Sequence, residues 1–189
     1  MKYFTKEFIK ADNESAFSKA RRQAIDRKFD RNCKAYRRQL ARLESRISKQ
    51  AWNFFYFGFA RWGLHDARLI SFTAGDGLDY QANGKQPFRI NKQKAKVRIQ
   101  ILNHDQNLFC TFNCSGIRKA VFDFPSEDPL WNANQVDNVH SYELTQASKH
   151  FMCLEFLFTS GATILVEFAQ LRFDRTRIHR SYATQAMYS

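Results

Sequence analysis

The chain has 189 residues, 44% of them hydrophobic and 15% aromatic, and a formal net charge of +12. That composition supports a packed core and excludes a disordered chain. No run approaches the roughly 18 apolar residues of a spanning helix, no apolar signal core follows Met1, and the four cysteines form no C-x-x-C pair, so a reduced, cytoplasmic protein is expected.

The charge is segregated. Residues 1–50 carry 15 Lys or Arg against 6 Asp or Glu, whereas residues 51–170 carry 11 against 11. The first ten residues mix aromatics and lysines, as a short strand or docked arm would. Asp12-Asn13-Glu14-Ser15 then has the capping and acidic side chains of a helix start. From Ser15 to about Ser48 there is neither Gly nor Pro. Phe29, Cys33, Tyr36, Leu40, Leu43 and Ile47 step by 4, 3, 4, 3 and 4, which places them on one stripe of a long amphipathic helix. Trp52, Phe55, Phe59 and Trp62 continue the helical period. One helix through Trp62 would be roughly 70 Å long, so a break near Ser48–Gln50 and a helical hairpin are expected.

After Gly63 the period changes to two. Leu69–Ala74, Val97–Ile101, Leu108–Cys114, Ile117–Phe124, Val139–Thr145, Phe151–Phe158 and Thr163–Phe173 read as strands joined by turns such as Gly75-Asp76-Gly77 and Asn83-Gly84. The fold class is α+β: an N-terminal amphipathic helix packed on a C-terminal antiparallel meander of about six strands. The expected organisation is a basic, mainly helical segment (1–62), a β domain (63–173) and a basic tail (174–189) that extends the positive field or is disordered. Cys110 and Cys114 would lie about 13 Å apart along one strand and could not bridge each other.

A two-residue Ser160-Gly161 turn would set Glu155 opposite Val166, with Glu167 on the other face. Both faces of that hairpin are apolar, so helices must cover one, and a curled sheet, a second sheet or another subunit the other; a homodimer is one solution. The break in alternation between Phe168 and Leu171 predicts a β-bulge near Ala169–Gln170. Glu155, in an otherwise apolar strand, is the buried-charge candidate and needs a Lys or Arg partner.

Two His-Asp pairs, His65-Asp66 and His104-Asp105, are the best metal-ligand candidates. Both fall in expected turns, where the simpler role is structural. No nucleophile elbow or phosphate loop occurs, and neither a catalytic residue nor a cofactor nor a metal centre is expected. The remaining functional candidate is the basic helical face: Arg27, Arg31, Lys34, Arg38 and Arg42. It is a solvated face, a docking surface for a protein or, alternatively, for nucleic acid. Asp26, Asp30 and Glu44 interrupt it along the chain.

The opening Met1-Lys2-Tyr3-Phe4-Thr5-Lys6-Glu7 and the Leu64-His65-Asp66 turn before a β region resemble an uncharacterised bacterial domain family; Tyr142-Glu143-Leu144 fits the same pattern. The resemblance covers most of the chain and implies a bacterial cytoplasmic protein, with no activity attached. The layout is also similar to that of small immunity-like proteins of bacterial toxin systems. The expectation is thus a non-enzymatic binding protein, immunity- or adaptor-like, with a protein partner. Nucleic-acid binding is the alternative, and a metal-dependent hydrolase using His65 and Asp66 the third.

Overall fold

The computed structural model describes residues 1–8, 18–58, 63–75, 78–80, 88–90, 95–123 and 138–178. Helix α1 (Lys19–Ala41) starts at Ser18, whose hydroxyl accepts the Arg21 N–H. The cap expected at Asp12–Ser15 lies outside the described residues. The helix ends by tightening: the Arg42 and Leu43 amides bond the Gln39 and Leu40 carbonyls three residues back. A 3₁₀ turn (Glu44–Arg46) follows, and Ile47 is extended. Ser48 then opens helix α2 (Lys49–Gly58), its hydroxyl accepting the Ala51 N–H. The expected break is therefore made without Gly or Pro, by burying Leu43 and Ile47 at the corner.

The strands are β1 (Ala67–Gly75), β2 (Leu78–Tyr80), β3 (Phe88–Ile90), β4 (Lys96–Leu102), β5 (Leu108–Asp123), β6 (Asn138–Gln146), β7 (Met152–Phe158) and β8 (Thr163–Arg177). β2 and β3 form a separate two-stranded sheet. The other six close into an antiparallel barrel in the order β1-β4-β5-β8-β7-β6. Closure runs through Ala67↔Val139 and Arg68↔Asn138, with the Asp66 amide on the Val139 carbonyl at 2.8 Å. The expected strands Leu108–Cys114 and Ile117–Phe124 are one long strand, and β8 carries Asp174–Arg177, the start of the expected tail.

Closure explains the doubly apolar hairpin. Met152, Leu154 and Phe156 pair with Phe168, Val166 and Ile164 and are fully buried on the barrel's inner side. The true register sets Glu155 opposite Leu165, one residue from the expected Val166, because the turn spans more than Ser160-Gly161: the Phe158 amide closes on the Ala162 carbonyl. Alternation in β8 does break at Ala169–Gln170, but the extra residue sits on the partner strand, between Ile117 and Lys119 of β5. Gly116 takes up the break with φ +65°, and a Cβ there would lie 2.9 Å from the Ala169 Cβ.

Helix α2 plugs the barrel. Phe54 lies 4.5 Å from Phe173 and 5.6 Å from Tyr142, and Phe55 packs on Phe112, which meets Phe156 at 5.5 Å (ring centroids). The inward face is thus Ala51, Phe54 and Phe55, whereas Trp52 is half-buried and stacks on Tyr56. Phe59 and Trp62 lie outside the described residues.

The outer face of β6 and β7 is covered by the chain's first residues. Glu143 is completely buried there and accepts three consecutive backbone N–H groups: Lys2 at 3.0 Å, Tyr3 at 2.7 Å and Phe4 at 2.6 Å. Helix α1 lies over this arm, with Tyr36 against Tyr3 and Phe4 (5.5 and 5.4 Å) and the Asn32 amide donating to the Tyr3 carbonyl at 2.7 Å. The Tyr36 hydroxyl accepts the Leu144 amide at 3.0 Å, satisfying an N–H on the strand edge that β1 leaves unpaired. Barrel, arm and helix are therefore successive layers, and both hairpin faces are covered within one chain.

Burial raises the Glu143 pKa above its usual 4.5, opposed by the three N–H groups and the Met1 ammonium. Replacing Glu143 with Ala orphans the buried Tyr3 and Phe4 amides and the part-buried Lys2 amide and should cost about 3–5 kcal/mol in urea unfolding. The raised pKa also fixes a sign. The folded state holds the proton more tightly than the unfolded chain, so this contribution is complete below about pH 4.5 and is lost as pH rises through the folded value. The stability advantage over Glu143→Gln, which cannot ionise, should therefore be largest near pH 4.5 and shrink towards pH 7.5, read as paired urea midpoints.

Candidate functional site

The basic face of α1 is organised around the helix rather than along the chain. At about 100° per residue, Arg27, Arg31, Lys34, Arg38 and Arg42 fall within an arc of about 80°, opposite the buried Tyr36 and Leu40. All five are exposed, and none makes an ion pair or side-chain hydrogen bond with a described residue. Asp26 and Asp30 lie on the shoulder with Arg37, outside the arc. The expectation that they interrupt the patch is thus corrected by the helical projection. The cations form a straight row about 22 Å long.

The two His-Asp pairs, far apart in sequence, line one cleft of about 940 Å³ at the barrel mouth. His65 and Asp66 come from the turn before β1, and His104 and Asp105 from the turn joining β4 to β5. Phe54, Cys110 and Phe173 form the apolar floor. His65 Nδ1 sits 2.9 Å from Asp66 Oδ2, and the His65 ring lies 5.6 Å from that of His140. Asp66 (φ 59°) and Gln106 (φ 54°), one in each turn, are the only non-glycine residues with positive φ among those described. The second turn is fastened by Asn103, whose Oδ1 accepts the Asn107 and Leu108 amides at 3.0 and 2.8 Å while its Nδ2 donates to Asn107 Oδ1. Among the described residues no three His, Cys, Asp or Glu side chains converge as a metal-ligand set.

The carboxylates on the barrel's outer wall are engaged. Glu155 is paired with the Met1 amino group at 2.8 Å rather than with a Lys or Arg side chain. Glu143 lies directly opposite Glu155 on β6. The one-residue correction in register also moves Glu167 onto this face, beside Cys153, where Arg118 holds it at 2.6 Å. Glu155 and Glu167 thus share a face, yet each carries its own cation. All four cysteines are free, and burial pushes the Cys110 thiol up to about 11 and Cys153 to about 12, which keeps both protonated and unreactive.

Sequence reasoning missed Glu143 as an anchor, although a lone acid between Tyr142 and Leu144 is the same signal that marked Glu155. It also missed Arg175 and Asn103 in the cleft, which carry no local signature. No helix among the described residues is long and apolar enough to cross a membrane. No family model, curated protein or solved structure matches the chain.

Asn103→Ala should loosen the β4–β5 turn, costing about 2 kcal/mol for two orphaned amides. Hydrogen exchange at Asn107 and Leu108 should then accelerate while the β7 and β8 amides stay protected.

Proposed function

We propose that this is a binding protein that presents the basic row of α1 to a nucleic-acid backbone, with the barrel as its scaffold. The observation that carries the proposal is the set of five exposed cations, unpaired by described residues and spaced about 4.5–6 Å along the axis. Such a row suits successive phosphates, which Arg and Lys neutralise with release of counterions. A protein partner, the first expectation from sequence, is less well served. Protein interfaces centre on a buried aromatic or aliphatic anchor, and the apolar residues on and beside this arc are Ala20, Ala24, Ala35 and Ala41. Nothing in the row reads bases, so the binding is expected to be sequence-tolerant.

The test is fluorescence anisotropy with a labelled 20-base-pair duplex and its single strand between 50 and 200 mM salt. Affinity for the duplex should fall with a log–log salt slope of about −4.5. Changing Arg27, Arg31 and Arg38 together to Glu should abolish binding at 100 mM salt with the urea midpoint unchanged. Absence of binding at 50 mM salt, or an unaffected triple variant, refutes the proposal.

A further inference from the structure

The barrel-mouth cleft lies apart from the basic row, and the proposed function does not use it. Its volume, about 940 Å³, falls within the size range of small-molecule sites, and barrel mouths are a recurrent location for them. Three features make it more than a surface dent. First, its floor is apolar and aromatic: Phe54 is 9% exposed and Phe173 3%, while Phe57, also lining the cleft, stands 52% exposed. The Phe57 ring meets Tyr56 and Trp52 edge to face at 5.0 and 5.9 Å, and the remainder of it is open to the cleft. Second, a cation is placed above that floor. Leu171, Phe173 and Arg175 pair in turn with Cys114, Phe112 and Cys110, so Arg175 extends the core-facing row of β8 out into the cleft. No carboxylate of a described residue pairs with its guanidinium, whereas Arg172, three residues earlier, is held by Asp174 at 3.1 Å. Third, the wall is fixed in advance. Asn103 fastens one turn and the His65–Asp66 contact accompanies the other, with positive φ in both. Unusual backbone of this kind persists only where its surroundings hold it.

From this arrangement we infer that the cleft is a binding site for a small aromatic anion, its ring on Phe54, Phe57 and Phe173 and its carboxylate or phosphate on Arg175. The guanidinium fork matches either oxyanion with two parallel hydrogen bonds. The imidazoles of His65 and His104, with Asn53 on α2, supply further hydrogen-bonding groups around the ring. Asp66, which faces His65, and Asp105 both line the cleft, and their carboxylates disfavour ligands carrying more than one anionic group. The two His-Asp pairs then belong to the wall of a binding pocket, which accounts for their convergence on one cleft.

The experiment uses the full chain and three probes: 2-naphthoate, 2-naphthyl phosphate and the neutral 2-naphthylmethanol, titrated by isothermal calorimetry and ligand-observed NMR. At least one anion should bind saturably and at least ten-fold more tightly than the alcohol, and the better anion tells carboxylate from phosphate. Arg175→Gln should erase the preference for the anion while retaining ring binding. Phe57→Ala should weaken all three probes, and Arg172→Gln should change none. These residues are exposed, so unchanged urea midpoints will show that the variants are folded. The Arg27, Arg31 and Arg38 triple variant should leave naphthoate binding intact, separating this site from the basic row. The inference is overturned if neither anion binds at millimolar concentration, if the alcohol binds equally well, if Arg172→Gln costs as much as Arg175→Gln, or if the anion preference disappears with the basic row.

Discussion

A single buried carboxylate organises the layers of this protein. Glu143 projects from the outer face of β6 into a site from which water is excluded, and three successive amides of the opening residues converge on it. A buried carboxylate without partners would be prohibitive, and orphaning the buried Tyr3 and Phe4 amides would be costly. Each offsets part of the penalty of the other, which specifies where the arm must lie. Once Tyr3 and Phe4 are seated, their rings form the surface on which Tyr36 packs. The orientation of α1 follows: its apolar stripe is turned towards the arm and its basic row towards solvent.

The barrel supplies the rigid half of that arrangement. Its interior is filled by its own side chains, as a barrel of few strands requires, and Phe54 and Phe55 of α2 pack on Phe173 and Phe112 at one mouth. Because α2 enters at one mouth, its other face, with Asn53 and Phe57, becomes a wall of the cleft. The connection through Glu44–Arg46 and Ser48 couples the two helices, one seated on the outside of the barrel and one in its mouth. The two candidate surfaces therefore arise from one corner in the chain but use different chemistry, a solvated row of cations and a sheltered aromatic floor.

What was legible in the sequence was local. The burial of Tyr36 and Leu40 and the alternation of Val97, Ile99 and Ile101 follow from the periods of helix and strand, whereas Leu43 and Ile47 are buried at the corner beyond the helix end. The doubly apolar hairpin signalled that its faces needed cover, yet closure itself depends on Ala67 meeting Val139 across the molecule, which no local pattern encodes. A two-residue turn predicts a register one residue away from the one the wider turn sets, and that shift alone decides whether Glu167 shares a face with Glu155. The His-Asp pairs were visible as dipeptides, but their convergence is a property of topology. Asp26 and Asp30 alternate with the basic residues in chain order, but the angle around the helix sets them to one side of the row.

The claim on which this account rests most heavily is that the opening residues are locked onto Glu143. Amide hydrogen exchange followed by NMR on the unmodified chain tests it directly. The Lys2, Tyr3 and Phe4 amides should be protected to the same degree as the Leu144 amide, which reports the contact of α1 with the barrel, because arm and helix are held as one unit. Exchange of all three at the rate of an unstructured peptide, with Leu144 still protected, would contradict it, because the helix would then be seated without the arm.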